Sequence, residues 1–312
     1  MKVAFLFSGQ GAQAVGMGMD LYNYYSESKM IFDHAEDIVG WDLKKLCFED
    51  PHGLINKTRY TQPALFTVSV AALEAAKANG IMPDIVAGFS LGEYTALYAS
   101  GALSFEETLR LVEKRAVFMD RASEKLDGSM AAILGLQVDE IEDLCKKEEI
   151  GVVEIANDNC PGQLVISGES KAVARLCQMA KDRGAKRTLK LNVSGPFHSS
   201  LLEEAAKEME EEIKLLDIKE PIIPIVSNVL ARPMDAGEII DNIPLQIKSR
   251  VRFRESIEYL IKEEVDLFIE LGKGKTLCSF VRKMDKNKLV ANIESPETLK
   301  KTQEIVGGVI KC

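Results

Sequence analysis

Gly88-Phe89-Ser90-Leu91-Gly92-Glu93-Tyr94 follows the apolar residues Ile85, Val86 and Ala87 and precedes a helical stretch, Leu91 to Ser100, that stops at Gly101. A buried strand, a sharp Gly-x-Ser-x-Gly turn and a helix together describe a nucleophile elbow, in which a strained turn pushes a serine hydroxyl into the open. Glycines on both sides of Ser90 permit such a turn, and an isolated Gly/Ser turn would lack the flanking strand and helix. The stretch therefore predicts an α/β protein with Ser90 as its nucleophile.

Upstream, Val3 to Phe7 reads as a first core strand, followed at once by Ser8-Gly9-Gln10-Gly11-Ala12-Gln13. A glycine-rich loop after a strand brings backbone N–H groups close to a ligand. Its spacing is not a dinucleotide fingerprint and no Gly-Lys-Ser/Thr follows, so an oxyanion contact fits better than a phosphate cradle. Helical patterns at Ser28 to Val39 and Ala64 to Asn79 complete an α/β alternation that favours a parallel sheet.

From Met130 the pattern changes. Strand at Ala131 to Leu136, helix at Val138 to Glu148, strands at Val152 to Ala156 and Gln163 to Ser167, helix at Lys171 to Arg183 and strand at Arg187 to Val193 give the order βαββαβ of a ferredoxin-like unit. The expected division is a small domain, residues 126–194, inserted into a large domain made of residues 1–125 and 195–312. Beyond the insert, the charged run Leu201 to Leu216 reads as a solvated helix, and Ile222 to Val226 and Leu267 to Glu270 as further strands of the main sheet.

With 312 residues, 46% of them hydrophobic, the chain can bury a large core. Its 39 basic and 48 acidic side chains leave a net charge of −9, which argues against nucleic acid as a partner. The six cysteines, Cys47, Cys145, Cys160, Cys177, Cys278 and Cys312, show no zinc-like spacing and read as reduced thiols. No stretch approaches the roughly 18 apolar residues of a membrane span, and the apolar start is shorter than a signal peptide requires. A soluble cytoplasmic monomer without metal is expected.

A serine hydroxyl needs a base, and three histidines are available. His34 lies in a helical run and His52 in a polar loop, whereas His198 follows Gly195-Pro196 in a turn that can present its ring. A hydrolase of this kind carries an acid between the serine and the histidine. Asp158 is one candidate, but a backbone carbonyl or the amide of Gln246 would equally accept the second ring N–H. Arg115 stands inside an apolar helical sector with Thr108, Leu109, Leu111, Val112, Ala116 and Met119, on a helix opened by the capping box Ser104/Glu107. A cation there needs an anion, either an internal carboxylate or a substrate carboxylate. Lys248, Arg250, Arg252 and Arg254 alternate in an otherwise acidic chain, as a solvated face or as a dock for an acidic partner.

Across its length the sequence resembles the family of bacterial malonyl-CoA:acyl carrier protein transacylases. The resemblance is carried by Phe7 to Gln13, Thr61-Gln62-Pro63-Ala64-Leu65, the elbow, Arg115 with Met119, Asn159-Cys160-Pro161-Gly162-Gln163, Gly195-Pro196-Phe197-His198 and Gln246. It implies an α/β-hydrolase-like large domain and transfer of malonyl from malonyl-CoA to acyl carrier protein for fatty acid synthesis, with no cofactor. It further implies Ser90 as nucleophile, His198 as base and acid, and backbone N–H groups of Gln10 and Leu91 as the oxyanion hole. Arg115 would hold the malonyl carboxylate, Gln62, Met119 and Phe197 would line the acyl pocket, and the Gln246 carbonyl would orient His198. Phe89 departs from the family, where many members carry His, and Arg250-Val251-Arg252 replaces a more usual Pro-Val-Gln. A polyketide-pathway loading acyltransferase would share the site residues. A serine esterase or thioesterase would share the elbow but give no account of Arg115.

Overall fold

The computed structural model describes residues 1–147 and 151–308; Glu148, at the end of one expected helix, and Cys312 lie outside them. Its strands in chain order are β1 (Val3–Phe7), β2 (Ile85–Gly88), β3 (Gly128–Leu134), β4 (Val153–Cys160), β5 (Gln163–Glu169), β6 (Arg187–Lys190), β7 (Ile225–Val226), β8 (Leu267–Leu271) and β9 (Leu289–Ile293). A parallel sheet runs β7-β2-β1-β8-β9, and a separate antiparallel sheet runs β4-β5-β3-β6.

The central strands of the parallel sheet are buried on both faces, which is why they read as unbroken apolar runs. In β1, Val3, Phe5 and Phe7 pack into one core and Ala4 and Leu6 into another on the opposite face. The antiparallel sheet has its own core, where Ile133, Ile155 and Ile166 meet Leu144 and Leu176 from the helices Val138–Cys145 and Ser170–Asp182. β4 is tied to the segment between the helices Ala236–Lys248 and Phe253–Lys262, where Val251 donates its N–H to the Ala156 carbonyl at 2.8 Å and accepts from Asp158 N–H at 2.9 Å. Among the described residues, no helix is long and apolar enough to cross a membrane.

Several boundaries differ from expectation. The helix expected from Ala64 spans Thr58–Ala78 and passes through Pro63, a residue that sequence reading places at a helix start because it lacks an N–H. The strand expected at Ile222 to Val226 keeps only its last two residues, and β9 carries too weak an apolar pattern to be read. The charged run forms the helix Glu203–Ile213, as expected, but its acids also pair with a neighbouring helix. Lys114 and Arg121 on the helix Phe105–Glu124, and Lys125 just past its end, bridge to Glu212, Glu208 and Glu204.

Candidate active site

Ser90 stands between β2 and the helix Gly92–Ala99 with φ of 53°, in the left-handed region disfavoured for a residue with a side chain. The strain falls on the serine itself, and the flanking glycines serve close packing instead. A Cβ on Gly88 would lie 1.9 Å from the Gly92 carbonyl carbon, and one on Gly92 would lie 2.0 Å from the Phe7 oxygen. The turn is held by Asn228, whose Oδ1 accepts from Ser90 N–H at 2.7 Å and whose Nδ2 donates to the Gly88 carbonyl at 2.6 Å.

His198 also has a left-handed backbone, φ 57°, and is 4% exposed. Its Nε2 lies 2.7 Å from Ser90 Oγ and its Nδ1 lies 2.8 Å from the Gln246 carbonyl oxygen. Because a carbonyl only accepts, Nδ1 carries the proton and the Nε2 lone pair faces the serine, so Ser90 Oγ–H donates to it. Burial, and next the Arg115 charge, lower the imidazole to about 4, so the ring is neutral and ready to accept a proton. Asp158, the alternative considered from sequence, pairs with Arg254 at 2.9 Å.

Arg115 is 1% exposed and lies against the Tyr94 ring. It donates to Gln62 Oε1 at 2.8 Å, Ser90 Oγ at 3.1 Å and Gln246 Oε1 at 3.0 Å. Its Nε has no partner, and among the described residues no carboxylate forms an ion pair with it. Burial holds the guanidinium below its usual value. Glu93 acts on this cation through charge alone, with the Gln246 amide between them, so among the described residues no internal carboxylate bonds the guanidinium directly and it is left to meet an anion from outside.

These groups converge on a cavity of about 400 Å³ lined by Gln10, Ser90, Arg115, Met119, Phe197 and His198, with Phe89 and Phe280 adding apolar wall. Phe89, packed edge-on against Phe253, gives the nucleophile an apolar neighbour. Gln62 and Gln246 are fully buried and lie behind Arg115 instead of on the cavity wall. Among the described residues, the backbone N–H groups of Gln10 and Leu91 have no acceptor, which leaves both free for a ligand oxygen. The four alternating cations are engaged: Lys248 with Glu203, Arg250 with Glu142, Arg252 with Glu255 and Arg254 with Asp158 and Glu258.

Sequence reading gave no role to Asn228 or Glu93. Glu93, 1% exposed, accepts from Asn228 N–H at 2.9 Å and from Gln246 Nε2 at 2.7 Å, and burial raises its carboxyl to about 7. Asn228 had no local signal, because it reaches the elbow from 138 residues away.

Residues 4–307 match the family model described as acyl transferase domain. The chain belongs to that family. The acyltransferase is 44% identical over 301 residues to the malonyl CoA-acyl carrier protein transacylase of Bacillus subtilis (strain 168), covering 96% of this chain and 95% of the relative. A crystal structure of the malonyl CoA-acyl carrier protein transacylase from Clostridium perfringens superposes with a TM-score of 0.96 at 41% identity, covering 99% and 98% of the two chains. A malonyl-transacylase in complex with a type II polyketide acyl-carrier protein superposes with a TM-score of 0.95 at 34% identity, covering 98% and 100%.

Proposed function

We propose that this acyltransferase moves the malonyl group of malonyl-CoA to the phosphopantetheine thiol of acyl carrier protein, for fatty acid synthesis, through a malonyl-serine intermediate. The observation that carries the reading is Arg115, a buried cation with no ion-pair partner among the described residues and 3.1 Å from the serine hydroxyl. A substrate with a free carboxylate distal to its thioester supplies the missing anion, and an acyl group without one leaves the charge uncompensated.

In the first half-reaction Ser90 Oγ attacks the thioester carbonyl while His198 Nε2 takes its proton. The free N–H groups of Gln10 and Leu91 receive the oxyanion, a stabilisation of roughly 3 to 4 kcal/mol in comparable sites. Collapse breaks the C–S bond, and the CoA thiolate leaves with the proton from His198. In the second half-reaction His198 deprotonates the carrier thiol, which attacks the malonyl ester; the C–Oγ bond breaks as His198 returns the proton to Ser90 Oγ, leaving malonyl on the carrier. The Gln246 carbonyl keeps the imidazole in one tautomer throughout, and Met119 and Phe197 bound the acyl group. No cofactor enters this sequence, and the protein acts as a cytoplasmic monomer.

The finer architecture belongs to the same reading. Residues 126–194 form a small domain, supported by their separate sheet and core. Its strand order β4-β5-β3-β6, all antiparallel, is that of a ferredoxin-like unit, and the large domain, residues 1–125 with 195–312, is α/β-hydrolase-like in its strand-elbow-helix arrangement.

Intact-protein mass spectrometry after mixing with malonyl-CoA tests the chemistry: one malonyl group should appear on the wild type and none on Ser90→Ala. Rapid release of malonate without any acceptor would instead identify an esterase. The likeness to a polyketide malonyl-transacylase favours polyketide loading as the second reading of pathway. Comparing transfer to carrier proteins of the two pathways decides between them.

A further inference from the structure

Glu93 touches none of the reacting atoms, yet it holds both residues that aim them. Its Oε2 accepts from Gln246 Nε2 at 2.7 Å, and that amide nitrogen also donates to the Ser90 carbonyl at 2.8 Å. With its NH2 end fixed there, the Gln246 amide must turn its oxygen toward Arg115 Nη2, 3.0 Å away. Glu93 Oε1 accepts from the Asn228 N–H, and Asn228 in turn anchors Ser90 N–H and the Gly88 carbonyl. The donors of Gln246 and Asn228, with the Ser227 hydroxyl beside them, thus converge on one side chain, a demand that a carboxylate meets with two acceptor oxygens and an amide meets with one.

We propose that Glu93 is a positioning residue for substrate selection: it sets the direction of the Gln246 amide and, through it, the donors that Arg115 presents to the distal carboxylate of the acyl substrate. The proposal rests on reading Arg115 as the partner of that carboxylate. In Glu93→Gln the backbone N–H of Asn228 keeps the single amide oxygen. The new NH2 then faces Gln246 and turns its amide over, so that a second donor meets the Arg115 cation. The buried side chain keeps its shape while the relay reverses.

The test compares malonyl-CoA and acetyl-CoA loading of Ser90 with modification of Ser90 by a fluorophosphonate, a serine-directed probe without a carboxylate. In Glu93→Gln, KM for malonyl-CoA should rise by about tenfold or more with a smaller change in kcat. The malonyl-to-acetyl preference should fall by the same factor, and the fluorophosphonate rate should change less than about threefold. A parallel loss of all three reactions, or an unchanged malonyl-to-acetyl preference, overturns the assignment. Should Glu93→Gln fail to fold, the exchange variant Glu93→Gln/Gln246→Glu restores the acceptor facing the new amide and puts a carboxylate beside Arg115. It is expected to load Ser90 with the malonyl preference lost, and a preserved preference overturns the relay. A wild type that loads malonyl and acetyl equally refutes the reading of Arg115, whereas a selective wild type with an equally selective Glu93→Gln refutes the Glu93 assignment alone.

Discussion

Ser90 Oγ lies within hydrogen-bond distance of both His198 and Arg115 because three separate segments each supply one group already oriented by other bonds. Arg115→Ala removes charge-assisted hydrogen bonds worth about 3 kcal/mol, so kcat/KM for malonyl-CoA should fall about 100-fold while acetyl loading falls far less. Competition between the two thioesters measures the ratio, and an unchanged ratio would remove Arg115 from substrate selection. The imidazole, lowered to about 4, predicts that the acid limb of kcat/KM due to His198 lies below about pH 5, separate from the fall in malonyl-CoA binding expected as Glu93 takes up its proton near about 7. A bound malonyl carboxylate offsets the Arg115 charge, so the acid limb in kcat should lie at higher pH than that in kcat/KM. A limb near 6.5 in kcat/KM that persists in Glu93→Gln would mean a solvated ring. The sign in stability follows: the folded chain binds fewer protons at His198 than the unfolded chain between about 4 and about 6.5. The His198 contribution is therefore full above that window and lost as pH falls through it. Ser90, His198 and Arg115 were legible in the sequence because each residue type is unusual in its local setting. Glu93 and Asn228 were not, because their meaning lies in partners distant along the chain.

Elements position these residues through close packing more than through propensity. The helix Gly92–Ala99 approaches β1 and β2 so closely that a methyl group at Gly88 or Gly92 would meet backbone, which cannot yield as a side-chain end can. Gly92→Ala should therefore destabilise by about 3 kcal/mol or more and lower Tm by at least about 5 °C, as thermal unfolding would show. The helix Phe105–Glu124 carries Arg115 to the cavity and begins with the expected capping box, Ser104 Oγ accepting from Glu107 N–H and Glu107 accepting from Ser104 N–H. Ser104→Ala should cost about 1 kcal/mol in denaturant unfolding without altering the malonyl-to-acetyl ratio. Elements with strong periodicity or caps were readable from the sequence. Short edge strands such as β7 were not, because two paired residues leave almost no pattern.

The whole molecule is two sheets that share a core: the antiparallel sheet has a core of its own on one face, while Met130, Ala156 and Val165 pack with the parallel sheet, and Val251 bonds to β4 beside ion pairs at the seam. Arg254 pairs with Asp158, which is 1% exposed, so Arg254→Ala strands a carboxylate in the interior. That variant should lose about 3 kcal/mol in denaturant unfolding, and adding Asp158→Asn should recover most of it; additive losses would mean the two residues act independently. The same pairing shows why the basic run Lys248 to Arg254 could not be interpreted from sequence: its partners Glu203, Glu142 and Asp158 lie in other elements. The sequence by itself determined the α/β alternation, the order of strands and helices from β3 to β6 and the candidate nucleophile, base and buried cation. Each of these is a local pattern, written in residues near one another along the chain. Only the tertiary structure decided that a backbone carbonyl and not an acid orients His198, that Arg115 lacks a carboxylate partner, and that Glu93 and Asn228 brace the elbow. Those outcomes depend on which polar groups meet after the sheets close, and a buried donor or acceptor is satisfied by whatever the fold brings within about 3 Å of it.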